Sequence, residues 1–127
     1  MAKSNYIENK VLDAILRHTT TGGGFPTANP YVSLHTADPG ETGASEVSGG
    51  SYARQQAAFD AAVSGASTNS SNIDFAAMPV ATVTHIGIWD ALSGGNFLYH
   101  GALASSKTTT SGQTARIAAG ELDITEA

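Results

Sequence analysis

The sequence predicts a mainly β protein: a single antiparallel β-sandwich, immunoglobulin-like or jelly-roll-like, preceded by one N-terminal amphipathic helix. Two observations lead to this prediction. Helical spacing of apolar residues occurs only near the start of the chain, and about seven short strand-like stretches separated by Gly, Ser and Asn follow Pro30. The alternating order of an α/β fold is excluded, since the helix precedes all the strands. We divide the 127 residues into a helix with a glycine-rich linker, 1–24, and the β-sandwich, 25–127.

The opening segment predicts a helix with a single apolar stripe. Asn5 is placed to cap the first turn, and Glu8, three residues later, would complete a capping box. The helix is predicted to end at TTTGGG, residues 19–24, because three glycines are costly to order in a helix. A lone helix cannot bury its stripe, so we expect it to dock on the sandwich or on a neighbouring chain. The stripe consists of Ile7, Val11, Leu12, Ile15 and Leu16.

The strands are predicted from their residue types and from the turns between them. The strongest is 80–89, VATVTHIGIW, where β-branched residues occupy most positions. The tetrapeptide SGGN at 93–96 predicts a hairpin. A polar, glycine-rich loop at 41–51 is long enough to be functional, and a second loop is predicted at 64–72. The remaining strands are predicted at 31–36, 52–59, 73–75, 97–104, 114–118 and 122–125.

Charge and composition exclude several classes of function. The six Lys and Arg residues are scattered and the net charge is −5, so we predict binding to neither nucleic acid nor a membrane surface. No cysteine is present, which excludes disulfides and thiolate metal sites. Only 13% of the residues are charged, which suits a protein that packs against copies of itself and also fits an ordinary Ser/Thr-rich β-protein. We find no signal peptide or membrane helix and expect no export.

The sequence contains no motif for catalysis. A nucleophile elbow is absent, and no glycine-rich loop lies between a strand and a helix, as phosphate binding requires. Three histidines on predicted strands, His35, His85 and His100, could together hold zinc, but none has the close spacing of a metal motif. Carboxylates between 38 and 46 could hold calcium, but their spacing is not that of an EF-hand loop. We predict no catalytic residue, no cofactor and no metal site.

The aromatic residues of the strands separate two further interpretations. Trp89, Tyr99, Phe97 and Tyr52 could form a platform on which sugars stack, although aromatic residues on central strands usually belong to the core. A carbohydrate-binding module predicts Trp89 and Tyr99 exposed on one concave face. A structural module predicts that they are buried.

Three stretches of the chain carry a specific resemblance. They are NYIENKVLD at 5–13, YVSLHTADPGETGASEVSGGSYARQ at 31–55 and TVTHIGIWDALSGGNFLY at 82–99. From about residue 5 onwards the chain resembles a family of small structural proteins of tailed-phage virions. Its members are variously described as tail fibre, minor tail and minor capsid proteins. The resemblance implies a non-enzymatic virion component that is assembled in the host cytoplasm, and it supplies no catalytic residue.

Within such a particle we expect capsid decoration, by a cement or minor capsid protein that stabilises or coats the head, because the chain lacks the repeats or coiled coils that lengthen a fibre. A tail fibre or tail-associated subunit and a carbohydrate-binding module at the host surface remain alternatives. Expected partners are further copies of the chain, as a homo-oligomer such as a trimer, and virion proteins such as the major capsid protein or tail proteins. The candidate assembly surface comprises Ile7, Val11, Ile15, Pro39, Glu41 and Glu46.

Overall fold

The computed structural model describes residues 2–16 and 29–125, and the mainly β prediction is confirmed. The predicted division between residues 24 and 25 lies outside the described residues. A two-residue strand, β1 (Ala2–Lys3), comes before the one described helix, α1 (Asn5–Leu16). The strands that follow are β2 (Tyr31–His35), β3 (Gln55–Gln56), β4 (Ala66–Thr68), β5 (Ile73–Met78), β6 (Ala81–Trp89), β7 (Phe97–Thr109), β8 (Gln113–Ile117) and β9 (Asp123–Thr125).

The described strands pair antiparallel in one sheet and two ribbons. The main sheet has five strands in the order β1-β7-β6-β2-β3. One ribbon pairs β4 with β9, and the other pairs β5 with β8. Antiparallel pairing is therefore as predicted, whereas a single sandwich of two continuous sheets remains an interpretation.

One hydrophobic core joins the main sheet to the β5–β8 ribbon. Val32 and Leu34 alternate along β2, so their side chains lie on the same face of the sheet. Phe75 of the ribbon packs in the same cluster and is 1% exposed. Complete burial of one such side chain contributes about 1.5–3 kcal/mol, so this cluster is the main source of stability. Its other members are Ile7, Val47, Ala57, Ile73, Met78, Val83, Ile86, Ile88, Leu98, Ile117 and Leu122.

Strand β2 is buried on both faces, although an alternating sequence is typical of a strand with one exposed face. Ser33 and His35 point away from the hydrophobic core and yet have no exposed surface. Residues 36–46, here called the covering loop, fold back over this second face. The backbone N–H of Thr36 donates to the Ser45 carbonyl at 3.0 Å. A strand bridge between His35 and Glu46 completes the return.

Four strands differ from their sequence predictions by more than one residue, and one of them is β5, which runs to Met78, three residues past its predicted end. The stretch 52–59 contributes only the two residues of β3 to the sheet, and β4 lies inside the predicted loop at 64–72. Strand β7 continues five residues past the predicted end at residue 104, into the polar sequence SSKTT. Its pairing with β6 resumes at Lys107 after a register shift, so the partner strand, not local hydrophobicity, specifies this extension.

The cap of α1 is Ser4, so the prediction of an Asn5 cap was wrong. The Ser4 Oγ lies 3.5 Å from the Ile7 nitrogen, and the Ser4 carbonyl accepts the Glu8 N–H at 3.0 Å. Because β1 pairs with β7 through Lys3, the chain leaves the sheet at Ser4 and the helix begins at the next residue. Glu8 consequently lies one position too late for a capping box.

Candidate functional site

An aromatic pair lies on the face of the main sheet beneath the covering loop. Trp89 and Phe97 are buried, and their ring centroids are 4.8 Å apart at an interplanar angle of 54°. Neither residue belongs to the hydrophobic core cluster on the other face. Trp89, only 8% exposed, is thus buried as a structural module predicts, whereas Tyr99 is half-buried. A sugar platform built on Trp89 is incompatible with this burial.

His35 connects this aromatic pair to the covering loop through a chain of hydrogen bonds. The Trp89 Nε1–H donates to the Ser33 Oγ at 2.9 Å, and that oxygen lies 2.7 Å from the His35 Nε2. The His35 Nδ1 lies 2.8 Å from the Ala44 carbonyl oxygen. One neutral tautomer satisfies every group: Nδ1–H donates to Ala44, and Nε2 accepts the Ser33 hydroxyl proton. Burial lowers the pKa of His35 and so favours this neutral ring.

Arg54 ties three segments together above Trp89. Its guanidinium carbon lies 3.6 Å from the centroid of the Trp89 ring, which is cation–π geometry. Its Nε and Nη2 donate to the Glu46 carboxylate at 2.9–3.3 Å, and its Nη1 donates to the carbonyls of Ala91 and Gly94 at 3.0 and 2.9 Å. The Arg54 side chain is only 9% exposed and that of Glu46 21%. This ion pair joins the end of the covering loop to the β6–β7 turn.

Tyr52 extends the network towards the hydrophobic core. Its hydroxyl donates to Glu46 Oε2 at 2.9 Å and accepts the Leu34 N–H at 3.0 Å. Its ring stacks on Phe75 at 6.0 Å between centroids. Burial raises the pKa of the Tyr52 phenol far above its usual range, so the hydroxyl stays protonated and keeps donating. Glu46 therefore accepts hydrogen bonds from both Arg54 and Tyr52.

The other two strand histidines lie at the rim of the same face. The ring of His100 stacks on Phe97, and its Nδ1 lies 3.7 Å from Asp38 Oδ1. The Gly40 N–H, donating to the same Asp38 oxygen at 3.0 Å, lowers the pKa of that carboxyl. His85 pairs with His35 across β6 and β2. Within residues 2–16 and 29–125, no three His, Asp or Glu side chains are placed to share a metal ion.

No helix of the described chain has the length and apolar character to cross a membrane. The sequence matches, over residues 2–125, the family described as Podophage GP4 fiber I protein gp80. The chain belongs to this podophage fibre family. No curated protein matches the chain. As a podophage fibre protein it is a structural component of a tailed-phage virion, and the family resemblance of the sequence is confirmed. Membership favours the fibre and gives no support to capsid decoration.

In this podophage fibre protein, the predicted assembly residues of the loop make contacts within their own chain. Pro39 is completely buried. The Glu41 carboxylate accepts the N–H of Asn5 at 2.7 Å, which places a negative charge at the start of α1, where the helix dipole favours it. Glu46 is paired with Arg54. All three residues lie in the covering loop, and Glu41 connects the loop to the helix.

The predicted assembly residues of α1 are distributed differently. Ile7 is buried in the hydrophobic core, which shows that the first turn of α1 docks on its own chain. Val11 is half-buried, and the side chain of Ile15 lies outside the described part of the podophage fibre protein. Among the described side chains of α1, the exposed large apolar ones are Leu12, at 53%, and Leu16, at 71%. Contact of the predicted surface with another molecule remains a prediction.

Sequence reasoning missed Arg54, Ser33 and Gly43, three residues on which this site depends. Arg54 offered one signal. It is an isolated arginine among polar and small residues in a chain with few charges, so it has few charged neighbours in sequence with which to pair. Gly43 and Ser33 offered no local signal. Their roles follow from their position against Trp89, which is 46 and 56 residues away along the chain.

Proposed function

We propose that this protein is a non-enzymatic structural subunit of the tail fibre of a podophage, assembled with its partners in the host cytoplasm. The observation that carries the proposal is the family match over residues 2–125, which covers α1, the main sheet and both ribbons. The polar side chains beneath the covering loop support a structural role. Three of them bind groups of their own chain: His35, Glu46 and Arg54. Such internal bonds hold the loop against the sheet, which suits a structural component of a particle.

Capsid decoration is the alternative location. The absence of repeats and coiled coils in the chain favoured the head, because a fibre needs length. That argument fails if length comes from several copies or from other chains, since a compact domain can then serve as one unit of the fibre. The family description therefore outweighs the argument from repeats.

The location is tested by labelling an epitope fused after Ala127 on intact particles and imaging them by electron microscopy. We expect label on the tail and none over the head. Untagged particles control for background, and particles tagged on a head protein control for access to the head. Label spread over the head would overturn the fibre proposal and restore capsid decoration. If tagged chains do not enter particles, antibodies against the purified protein replace the epitope.

We further propose that the chain self-associates through α1 and forms a homo-oligomer such as a trimer. Leu12 and Leu16 are four residues apart, so they lie on the same side of the helix, and both are more than half exposed. Apolar surface of this kind is most stable when a partner covers it. The same oligomer would meet neighbouring fibre or tail proteins through its remaining surfaces.

Replacing Leu12 and Leu16 together with serine is expected to shift the protein from oligomer to monomer in sedimentation velocity at micromolar concentration. The control is Leu92→Ser, which removes from the β6–β7 turn a leucine whose exposure, 54%, matches that of Leu12. An unchanged sedimentation coefficient in the double variant, or an equal change in Leu92→Ser, would contradict assembly through α1.

A further inference from the structure

We propose that the covering loop, residues 36–46, is an acid-released latch, in which protonation of the buried His35 separates the loop from Trp89 and Phe97 and loosens the start of α1. This device goes beyond the structural role proposed above. It would let the particle respond to an acidic surrounding by exposing a surface that is hidden at neutral pH.

The two ends of the loop are joined by backbone bonds, and His35 holds the residue next to its C-terminal end. The end bonds are Thr36 N–H to the Ser45 carbonyl at 3.0 Å and Val47 N–H to the Leu34 carbonyl at 2.9 Å. Next to Ser45, the Ala44 carbonyl accepts a hydrogen bond from the His35 ring. Among the buried polar side chains of residues 2–16 and 29–125, His35 is the one whose ordinary pKa lies near neutrality.

An added proton breaks the matching of donors and acceptors around His35. In the neutral ring, Nε2 accepts from the Ser33 hydroxyl, while the Ser33 oxygen accepts from Trp89 Nε1–H. Protonated Nε2 becomes a donor that faces another donor. Ser33 must then turn its proton elsewhere, and the imidazolium is left in a site with no access to water. Movement of the loop away from the sheet hydrates the ring and removes both costs.

The charged groups around His35 do not compensate for this burial. Loss of hydration lowers its pKa most, while the Ala44 carbonyl and Glu46 favour the charged ring. Arg54 and His85 disfavour the charged ring and so lower the pKa of His35 further. The Glu46 charge is already shared with Arg54, its bidentate partner. At the outer edge of the loop, the rim pair His100 and Asp38 face each other, not His35.

The direction of the pH effect follows from the lowered pKa. The closed loop binds fewer protons than the open loop, in which the ring is hydrated and its pKa is about 6.5. Stability of the closed form is therefore complete above about pH 6.5 and declines as the pH falls through the lower, closed-state pKa. One proton changes the closed-to-open ratio by at most about tenfold for each pH unit.

Opening of the covering loop would affect the start of α1 through Glu41. Its carboxylate accepts the Asn5 N–H at 2.7 Å. Withdrawal of the loop removes this charge from the start of α1. It also uncovers the Trp89 ring, on which Gly43 rests.

The test is hydrogen–deuterium exchange of the intact protein between pH 7.5 and 5.0, corrected for the intrinsic pH dependence of amide exchange. Protection of peptides spanning 36–46 and 5–8 is expected to fall by tenfold or more, while peptides of β5 (Ile73–Met78) keep their protection. The fall should coincide with the ring titration of His35 followed by NMR. Equal protection of 36–46 across this range would overturn the latch.

Two sets of variants identify the sensor. His35→Asn keeps an amide donor for the Ala44 carbonyl and is expected to exchange equally at both pH values. His100→Gln and Asp38→Asn are expected to retain the acid response. Loss of the response in His100→Gln would assign it to the rim pair and overturn the proposal. If His35→Asn does not fold, a mismatch in the wild-type protein between the His35 titration and the loss of protection overturns it equally.

Discussion

Replacement of Gly43 with alanine is expected to lower the free energy of unfolding by about 2–5 kcal/mol, because backbone strain and overpacking add. Gly43 has a φ of +77°, a left-handed conformation that side chains disfavour. A Cβ there would lie 2.3 Å from Cζ2 and 2.6 Å from Cη2 of Trp89. The indole cannot move aside cheaply, since Ser33 holds its Nε1 and Arg54 covers its ring.

Gly40→Ala is the matched control for this prediction. Gly40 also has a positive φ, +61°, but a Cβ at that position meets no atom within 4 Å. It should therefore lose only the cost of strain, about 1–2 kcal/mol. Urea denaturation followed by the fluorescence of Trp89, the single tryptophan, measures both variants. Equal losses in the two variants would show that the covering loop does not press on Trp89.

The parts of the fold that sequence predicted are those with a local signal. The apolar stripe of α1 and the β-branched run of β6 repeat at the period of their own element, so each is readable without knowledge of its partner. Strand β7 beyond residue 104 has no such period, and its conformation depends on pairing with β6. The cap of α1 is Ser4 and not the predicted Asn5 for a similar reason, because the pairing of β1 with β7 determines where the helix begins.

The candidate site was less predictable, because the sequence predicts only a polar, glycine-rich loop at 41–51 and does not indicate that residues 36–46 cover a buried face. Such a composition is typical of loops. Burial of Pro39 and the packing of Gly43 on Trp89 arise from contacts between residues distant in sequence, which no spacing rule reports. Glu41 and Glu46, which the sequence analysis assigned to an assembly surface, bind Asn5 and Arg54 within the chain.

Arg54→Met is expected to lower the free energy of unfolding by about 3–5 kcal/mol, since it leaves a mostly buried Glu46 carboxylate without its cation. The carbonyls of Ala91 and Gly94 lose their donor as well. Methionine preserves much of the volume over Trp89, so the loss reports charge and hydrogen bonding more than packing. Thermal and urea denaturation of the purified variant measure it.

Arg116→Met tests whether burial, and not the mere presence of an ion pair, determines this effect. Arg116 also forms a bidentate pair, with Asp74 at 2.7 and 3.1 Å, and it lowers the pKa of that carboxyl. Both side chains are about half exposed, at 58% and 42%, so water replaces the lost partner and stability should hardly change. A loss equal to that of Arg54→Met would contradict this reasoning.

The double variant Glu46→Gln with Arg54→Met completes the argument, because it removes the stranded charge while keeping an acceptor for Tyr52. It is expected to regain part of the stability lost in Arg54→Met, whereas independent sites would show additive losses. Full additivity would mean that Arg54 acts through Trp89 and the β6–β7 turn alone. Recovery would show that the loss in Arg54→Met comes largely from the unpaired charge of Glu46, the last residue of the covering loop.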